Sequence, residues 1–195
     1  MVMEQQLQKI SADRFIALVD SPEYADRIVE LVEGEIIEMS KPSGLHGQIT
    51  FLLSLKIGNY VVDNGLGIVT AADTGFILER NPDVGDTVRG LDIAFLSSAN
   101  APAVLPDQLV DVTPNLAVEV ISPSNKATDM HRKIRQLLAA GTTLIWIVYP
   151  ESRTVDVHTR DGATTLNATD ILSGGDVLPG FEIPVHEIFP APGTS

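Results

Sequence analysis

Residues 115 to 133 read NLAVEVISPSNKATDMHRK, and the fold turns on how this stretch is read. Leu116, Ala117, Val118, Val120 and Ile121 form a short apolar run, rich in β-branched residues and bounded by Pro114 and Pro123. That pattern predicts a strand buried on both faces. Glu119 interrupts it. An ionised carboxylate taken out of water costs several kcal/mol unless a cation, a metal or hydrogen-bond donors meet it. The turn SPSN offers several capping side chains, and a helix is expected from about Lys126 to Ala140, closed by Gly141. On that helix Asp129 and Lys133 are one turn apart on the same face. They can make an exposed ion pair, or Lys133 can reach back to Glu119 at the end of the strand. Thr142 to Tyr149, TTLIWIVY, is again fully apolar. Strand, helix and strand in this order predict a crossover with the Glu119 and Trp146 strands as parallel neighbours.

Upstream, Gly90 to Leu96 reads GLDIAFL, a second apolar strand with one charge, Asp92. The Ala- and Pro-containing loop that follows, from Ser97 to Pro114, is expected to border a cleft. Asp92 and Glu119 lie far enough apart for neighbouring strands to present both at one edge. Two carboxylates with water in the remaining positions suit Mg²⁺ or Mn²⁺, hard cations that take oxygen ligands. Such an ion polarises a phosphoryl oxygen and lowers the pKa of a bound water, while a nearby ammonium offsets developing charge. On the residues alone, a metal site and a structural pairing with Arg89 or Lys133 both stand open.

The remaining segments read as scaffold. Ser11 caps a short helix through about Val19. IVELVEGEIIEM alternates apolar and acidic residues around Glu33-Gly34, the pattern of a β-hairpin. Its Glu30 and Glu38 are read as solvent-facing, whereas Glu35, directly after the turn glycine, can point into a cleft. After the loop Lys41 to Gly44, a long helix carries Ile49, Leu53, Ile57 and Val61 at helical spacing up to Gly65. His46 in its opening turn either faces a neighbouring site or is a polar residue of the helix start. Gly67 to Leu78 predicts two short strands, and two hairpins follow Tyr149. The tail PGFEIPVHEIF predicts an edge strand and a short terminal helix. His158 and His186 have no acidic or histidine partner at ligand spacing and receive no role.

The 195 residues suit one well-packed domain, with no linker or charge block dividing them. No segment reaches the roughly 18 consecutive apolar residues of a membrane span. The start MVMEQQLQKI has neither a basic run nor an apolar signal core, and the absence of cysteine excludes disulfides and thiolate metal sites. A cytoplasmic protein that does not enter a membrane is expected. The net charge of −13 on average repels polyanions. Yet Lys126, Arg132, Lys133 and Arg135 crowd together directly after the Glu119 strand, and residues 161–195 contain no Lys or Arg.

The EGEIIEMS hairpin, Pro42 with His46, LDIAF, LAVEVISPS, the DMHRK helix and WIVYPESRTVDVH succeed one another in an order that resembles a group of restriction-endonuclease-like proteins in the PD-(D/E)XK nuclease superfamily. The resemblance covers about residues 10–189. It implies an α/β (α+β) fold with a restriction-endonuclease-like core, a mixed β-sheet flanked by helices, and an N-terminal hairpin. It also implies a Mg²⁺- or Mn²⁺-dependent endonuclease acting on DNA phosphodiesters. Asp92 matches the first acid and Glu119 the second, both as metal ligands. Two departures stand out. Leu91 replaces the superfamily proline, and Ile121 replaces the lysine two positions after the second acid. Lys133 matches a lysine transferred to the following helix, with Asp129 one turn earlier; Glu35, His46 and Ser122 are auxiliary candidates. A homodimer is expected because cutting both strands takes two sites. The alternatives are a nuclease-derived binding or regulatory protein that has lost cleavage and, last, a purely structural module.

Overall fold

The computed structural model describes residues 9–24 and 26–190 of the chain. Helix α1, Ala12–Val19, starts where the Ser11 hydroxyl accepts the Arg14 amide, and Phe15 is its buried anchor. Strands β1, Ile28–Val32, and β2, Glu35–Met39, form the expected hairpin. Its two-residue turn needs positive φ at both positions, and Glu33 and Gly34 adopt 51° and 77°. Helix α2, Gly44–Asn64, is capped by Ser43 and closed by Gly65 in the left-handed conformation.

The next segment departs from expectation. In place of two short strands there is one long strand, β3, Gly67–Glu79, which pairs antiparallel with β4, Thr87–Ser97. A register shift between Ala71 and Thr74 interrupts the ladder, where Ala72 and Asp73 both have positive φ, 58° and 56°. The polar AADTG sequence therefore encodes a bulge inside a continuous strand. Strand β5, Leu116–Val120, is antiparallel to β4 and parallel to β6, Leu144–Tyr149, and α3, Ala127–Ala140, makes the crossover between them. Strands β7, Thr154–Thr159, and β8, Gly162–Leu166, complete an eight-stranded mixed sheet of order β2-β1-β4-β5-β6-β7-β8, with β3 on the other edge of β4. Strands β9, Ile171–Ser173, and β10, Glu182–Pro184, form a small separate sheet before a 3-10 turn at Val185–Ile188.

Period-two alternation gives the sheet two different faces. Val118, Val120, Ile93, Phe95 and Trp146 pack against Ile49, Leu53 and Ile57 of α2. Ala117, Ala94, Ile145 and Ile147 pack against Ile134 and Leu137 of α3. Glu119 shares the α3 face of β5 with Ala117. The 97–114 connection is tied down by backbone bonds of Val110 to Gly75 and Ile77, and it lines neither cavity around the two strand acids.

Along one edge β4 pairs with β3 throughout; along the other it meets β1 at Val88 and β5 only from Ile93. Arg89 to Asp92 fall in the fork between β1 and β5. Backbone groups there have no ladder partner on that side and must find side chains.

Candidate active site

The fork is filled by charge. Glu30 from β1, Arg89 and Asp92 from β4, Glu119 from β5 and Lys133 from α3 are each between 4% and 6% exposed. Gly90 supplies the missing ladder contacts: its N–H donates to Glu30 Oε1 at 3.1 Å, and its carbonyl accepts from Lys133 Nζ at 2.6 Å. Lys133 Nζ also donates to Glu119 Oε2 at 2.7 Å and lies 3.3 Å from Glu30 Oε1. Two of these oxygens accept hydrogen bonds from the ammonium, and Glu30 is an ion-pair partner. Arg89 Nη1 donates to Glu30 Oε2 at 2.6 Å, while Nε and Nη2 hold Gln136 Oε1. Lys133 thus reaches back from α3 to the strand acid.

The two strand acids are satisfied differently. Asp92 Oδ2 accepts the Val120 amide at 2.7 Å and His46 Nε2 at 3.0 Å. Glu119 Oε2 has Lys133, but Oε1 is buried with no hydrogen-bond partner among the described residues. Burial pushes the Glu119 carboxyl up to about 8, opposed by Lys133 and helped by the charge of Asp92. Although burial works against it, the Glu119 and Glu30 carboxylates hold the Lys133 ammonium above its ordinary range. The Glu30 carboxyl goes down: burial would raise it, but Lys133 and Arg89 together outweigh that. The Asp92 hydrogen bond raises the His46 imidazole, with burial opposing.

These groups line a cavity of about 90 Å³ that also takes in Asp73, Ser122 and Asn125. A cleft of about 500 Å³ adjoins it, bordered by Lys126 and Arg132 as well as Glu30, Glu119 and Lys133. The cationic cluster of α3 therefore contributes side chains to the mouth of an acidic pocket.

Of the residues singled out in the sequence, Asp92, Glu119, Lys133, His46 and Ser122 come together around this cavity. Ser122 is half-buried, its hydroxyl donating to Asn125 Oδ1 at 3.0 Å. Asp129 is exposed on the rim of the cleft and makes no ion pair with Lys133. Glu35 lies outside the cavity, exposed and paired with Lys9 at 2.8 Å. The hairpin acid that enters the fork is Glu30, read from the sequence as solvent-facing. The alternating pattern of β1 marks Glu30 as off the apolar face, but nothing in that strand encodes the partners waiting on β4 and α3. Asp73 was also missed. Its carboxyl is raised first by burial and then by the charge of Asp92, and the bulge that brings it to the cavity shows in the sequence only as a polar break.

No trio of His, Asp and Glu side chains among the described residues is arranged to hold a metal by itself. The oxygen donors present nevertheless fit a divalent cation sharing its coordination with water. Glu119 Oε1 is a buried acceptor without a donor, beside a second carboxylate, and the donor set is all oxygen.

A mixed sheet flanked by helices, with two strand acids and a lysine gathered at a fork in its ladder, defines a restriction-endonuclease-like domain. The chain belongs to the family Uma2, described as "Putative restriction endonuclease", whose family model matches residues 13–186. Among solved structures it is similar to a "putative nuclease belonging to DUF820" from Anabaena variabilis. That structure superposes with a TM-score of 0.77 at 18% identity, covering 91% of this chain and 96% of the other. No curated protein matches the chain. No helix among the described residues is long and apolar enough to cross a membrane.

Proposed function

We propose that the protein is a divalent-metal-dependent endonuclease that hydrolyses DNA phosphodiester bonds, with Asp92 and Glu119 as the ligands of Mg²⁺ or Mn²⁺. The observation that carries this reading is the unpartnered, buried Oε1 of Glu119 beside Asp92 in a cavity whose adjoining cleft also presents Lys126 and Arg132. When bound, the metal supplies a Lewis acid for the phosphoryl oxygen and a water of lowered pKa. The protein's own groups do the rest. His46 and the Val120 amide fix Asp92 through Oδ2, which leaves Oδ1 as its outward oxygen. Lys133 anchors Glu119 through Oε2 and sets a positive charge near the negative charge that grows on the phosphoryl oxygens. Glu30, itself paired with Arg89, lies beside that ammonium and helps hold it in place. Lys126 and Arg132 border the cleft where the backbone of the strand would run, in contrast with the acidic remainder of the chain. Cutting both strands of a duplex takes two such sites, hence a homodimer.

One observation favours a second reading, a DNA-binding relative without cleavage: the Lys133 N–H donors are already engaged by Glu119 and Gly90, with Glu30 as a close ion-pair partner. A substrate phosphate would have to compete for them. Calorimetric titration with Mn²⁺, run beside cleavage of single- and double-stranded DNA, separates the two. The endonuclease reading expects metal binding and cleavage that are both lost in Asp92→Asn and Glu119→Gln. Metal binding with no cleavage of any substrate by the folded wild type supports the second reading.

A further inference from the structure

A second recess opens on the α3 side of the sheet. It has a volume of about 180 Å³ and lies where the ends of β5 and β6 meet the first turns of α3. Ile121, Met130 and Ile134 give it apolar walls; Asn125, His131, Tyr149, Asp156 and His158 give it polar edges. His158 Nε2 is buried and has no hydrogen-bond partner among the described residues. Burial holds this imidazole below its ordinary range, with Asp156 opposing and His131 assisting. Asn125 spends its Oδ1 on the Ser122 amide and hydroxyl, and its NH₂ has no acceptor among the described residues.

The recess adjoins the proposed catalytic centre through shared lining residues. Ile121 is two residues beyond Glu119, on the same side of the chain. Asn125 lines the acidic cavity, the cleft and the recess, and Lys126 lines both the cleft and the recess. At about 180 Å³ the recess falls below the roughly 300–1,000 Å³ of ordinary small-molecule pockets. It fits a single flat ring system. Apolar walls with one or two unpaired polar groups at the edge, next to a cation, are the features by which proteins take up an unstacked base.

We propose that this recess receives one unpaired nucleobase of the DNA strand whose phosphate lies at the Asp92–Glu119 centre. The proposal rests on the endonuclease reading and names its substrate class. A base reaches the recess only once it has left the stack, which costs least in single-stranded, mismatched or damaged DNA. Those forms are the preferred substrates, ahead of intact duplex.

The test is fluorescence anisotropy with short single-stranded oligonucleotides in EDTA, comparing the intact strand with a set carrying one abasic residue at each position in turn. Ala127 is exposed and borders the recess, so Ala127→Trp fills its mouth without entering the core. Wild type binds the intact strand about tenfold more tightly than the abasic strand that empties the recess, the scale of one stacked base. Ala127→Trp and His158→Ala lose this difference. Equal binding of intact and abasic strands by wild type overturns the proposal, as does discrimination that survives in Ala127→Trp. Free thymidine and deoxyadenosine, followed by ligand NMR, separate this result from the fate of the endonuclease reading. Nucleoside binding by wild type that Ala127→Trp abolishes upholds the recess even if no DNA is cut. Metal-dependent cleavage with neither nucleoside binding nor an abasic penalty overturns the recess and leaves the endonuclease reading intact.

Discussion

The two strands of the β1–β2 hairpin carry acids at similar spacing and use them in opposite ways. Glu30 on β1 is buried against Arg89, Lys133 and the Gly90 amide, whereas Glu35 and Glu38 on β2 are exposed and pair with Lys9 and Arg27. The hairpin turn and the alternation are the same for both. What differs is the neighbour: β2 is the outer edge of the sheet, while β1 ends at the fork of β4. A carboxylate on an edge strand gains little from its partner because water screens the pair. At the fork, every charge depends on the others, because removing one leaves the rest buried and uncompensated.

That contrast can be broken by substitution. Lys133→Met strips Glu119 of its cation and leaves Glu30 with Arg89 alone, and is expected to cost about 3–5 kcal/mol of stability, read from urea denaturation. A loss indistinguishable from that of a surface lysine would refute the network. Glu30→Gln keeps the shape but takes the charge from Arg89 and Lys133, and about 2–3 kcal/mol should go with it. Retention of the full denaturation midpoint would mean that Arg89 and Lys133 are held by Gln136, Gly90 and Glu119 alone.

The pH dependence sharpens the same contrast. Burial raises the folded Glu119 carboxyl to about 8 from an ordinary 4.5. Between these values the folded chain binds a proton that the unfolded chain has released, so the contribution is complete below about 4.5 and declines as pH rises toward 8. Without metal, stability should therefore fall as pH rises across that window, and Glu119→Gln should flatten the slope. Glu30 works in the opposite sense, its depressed carboxyl adding stability that is lost only on acidification below the ordinary range. At the far end of the scale, Glu35→Gln should leave the urea midpoint unchanged, because its pair with Lys9 is exposed. A clear shift would place Glu35 in the network and erase the distinction between the two strands.

Much of this arrangement could be read from the chain. The parallel β5–β6 pair with its α3 crossover follows from two apolar runs around one amphipathic segment, and both strand acids stood out because each is the single charge in such a run. Lys133 was legible because α3 returns it to the strand it follows. Glu30 and Asp73 were not. Glu30 sits in an alternating strand whose polar positions usually face water, and its burial is decided by residues 59 and 103 positions further along the chain, Arg89 and Lys133. Asp73 reaches the cavity through two consecutive non-glycine residues at positive φ, a conformation costing of order 1–3 kcal/mol each that local preference argues against. The 97–114 loop was expected to border the cleft because of its composition, but backbone bonds to β3 hold its Val110 end elsewhere.

The central claim is that Asp92 and Glu119 hold a divalent cation for phosphodiester cleavage. Its most direct test is the cleavage of single-stranded and mismatched DNA by the wild-type chain with Mn²⁺ or Mg²⁺, against Asp92→Asn and Glu119→Gln variants shown to be folded. The account predicts cutting that requires the metal and disappears in both variants. Cutting that persists in EDTA, or in either variant at the wild-type rate, would contradict it.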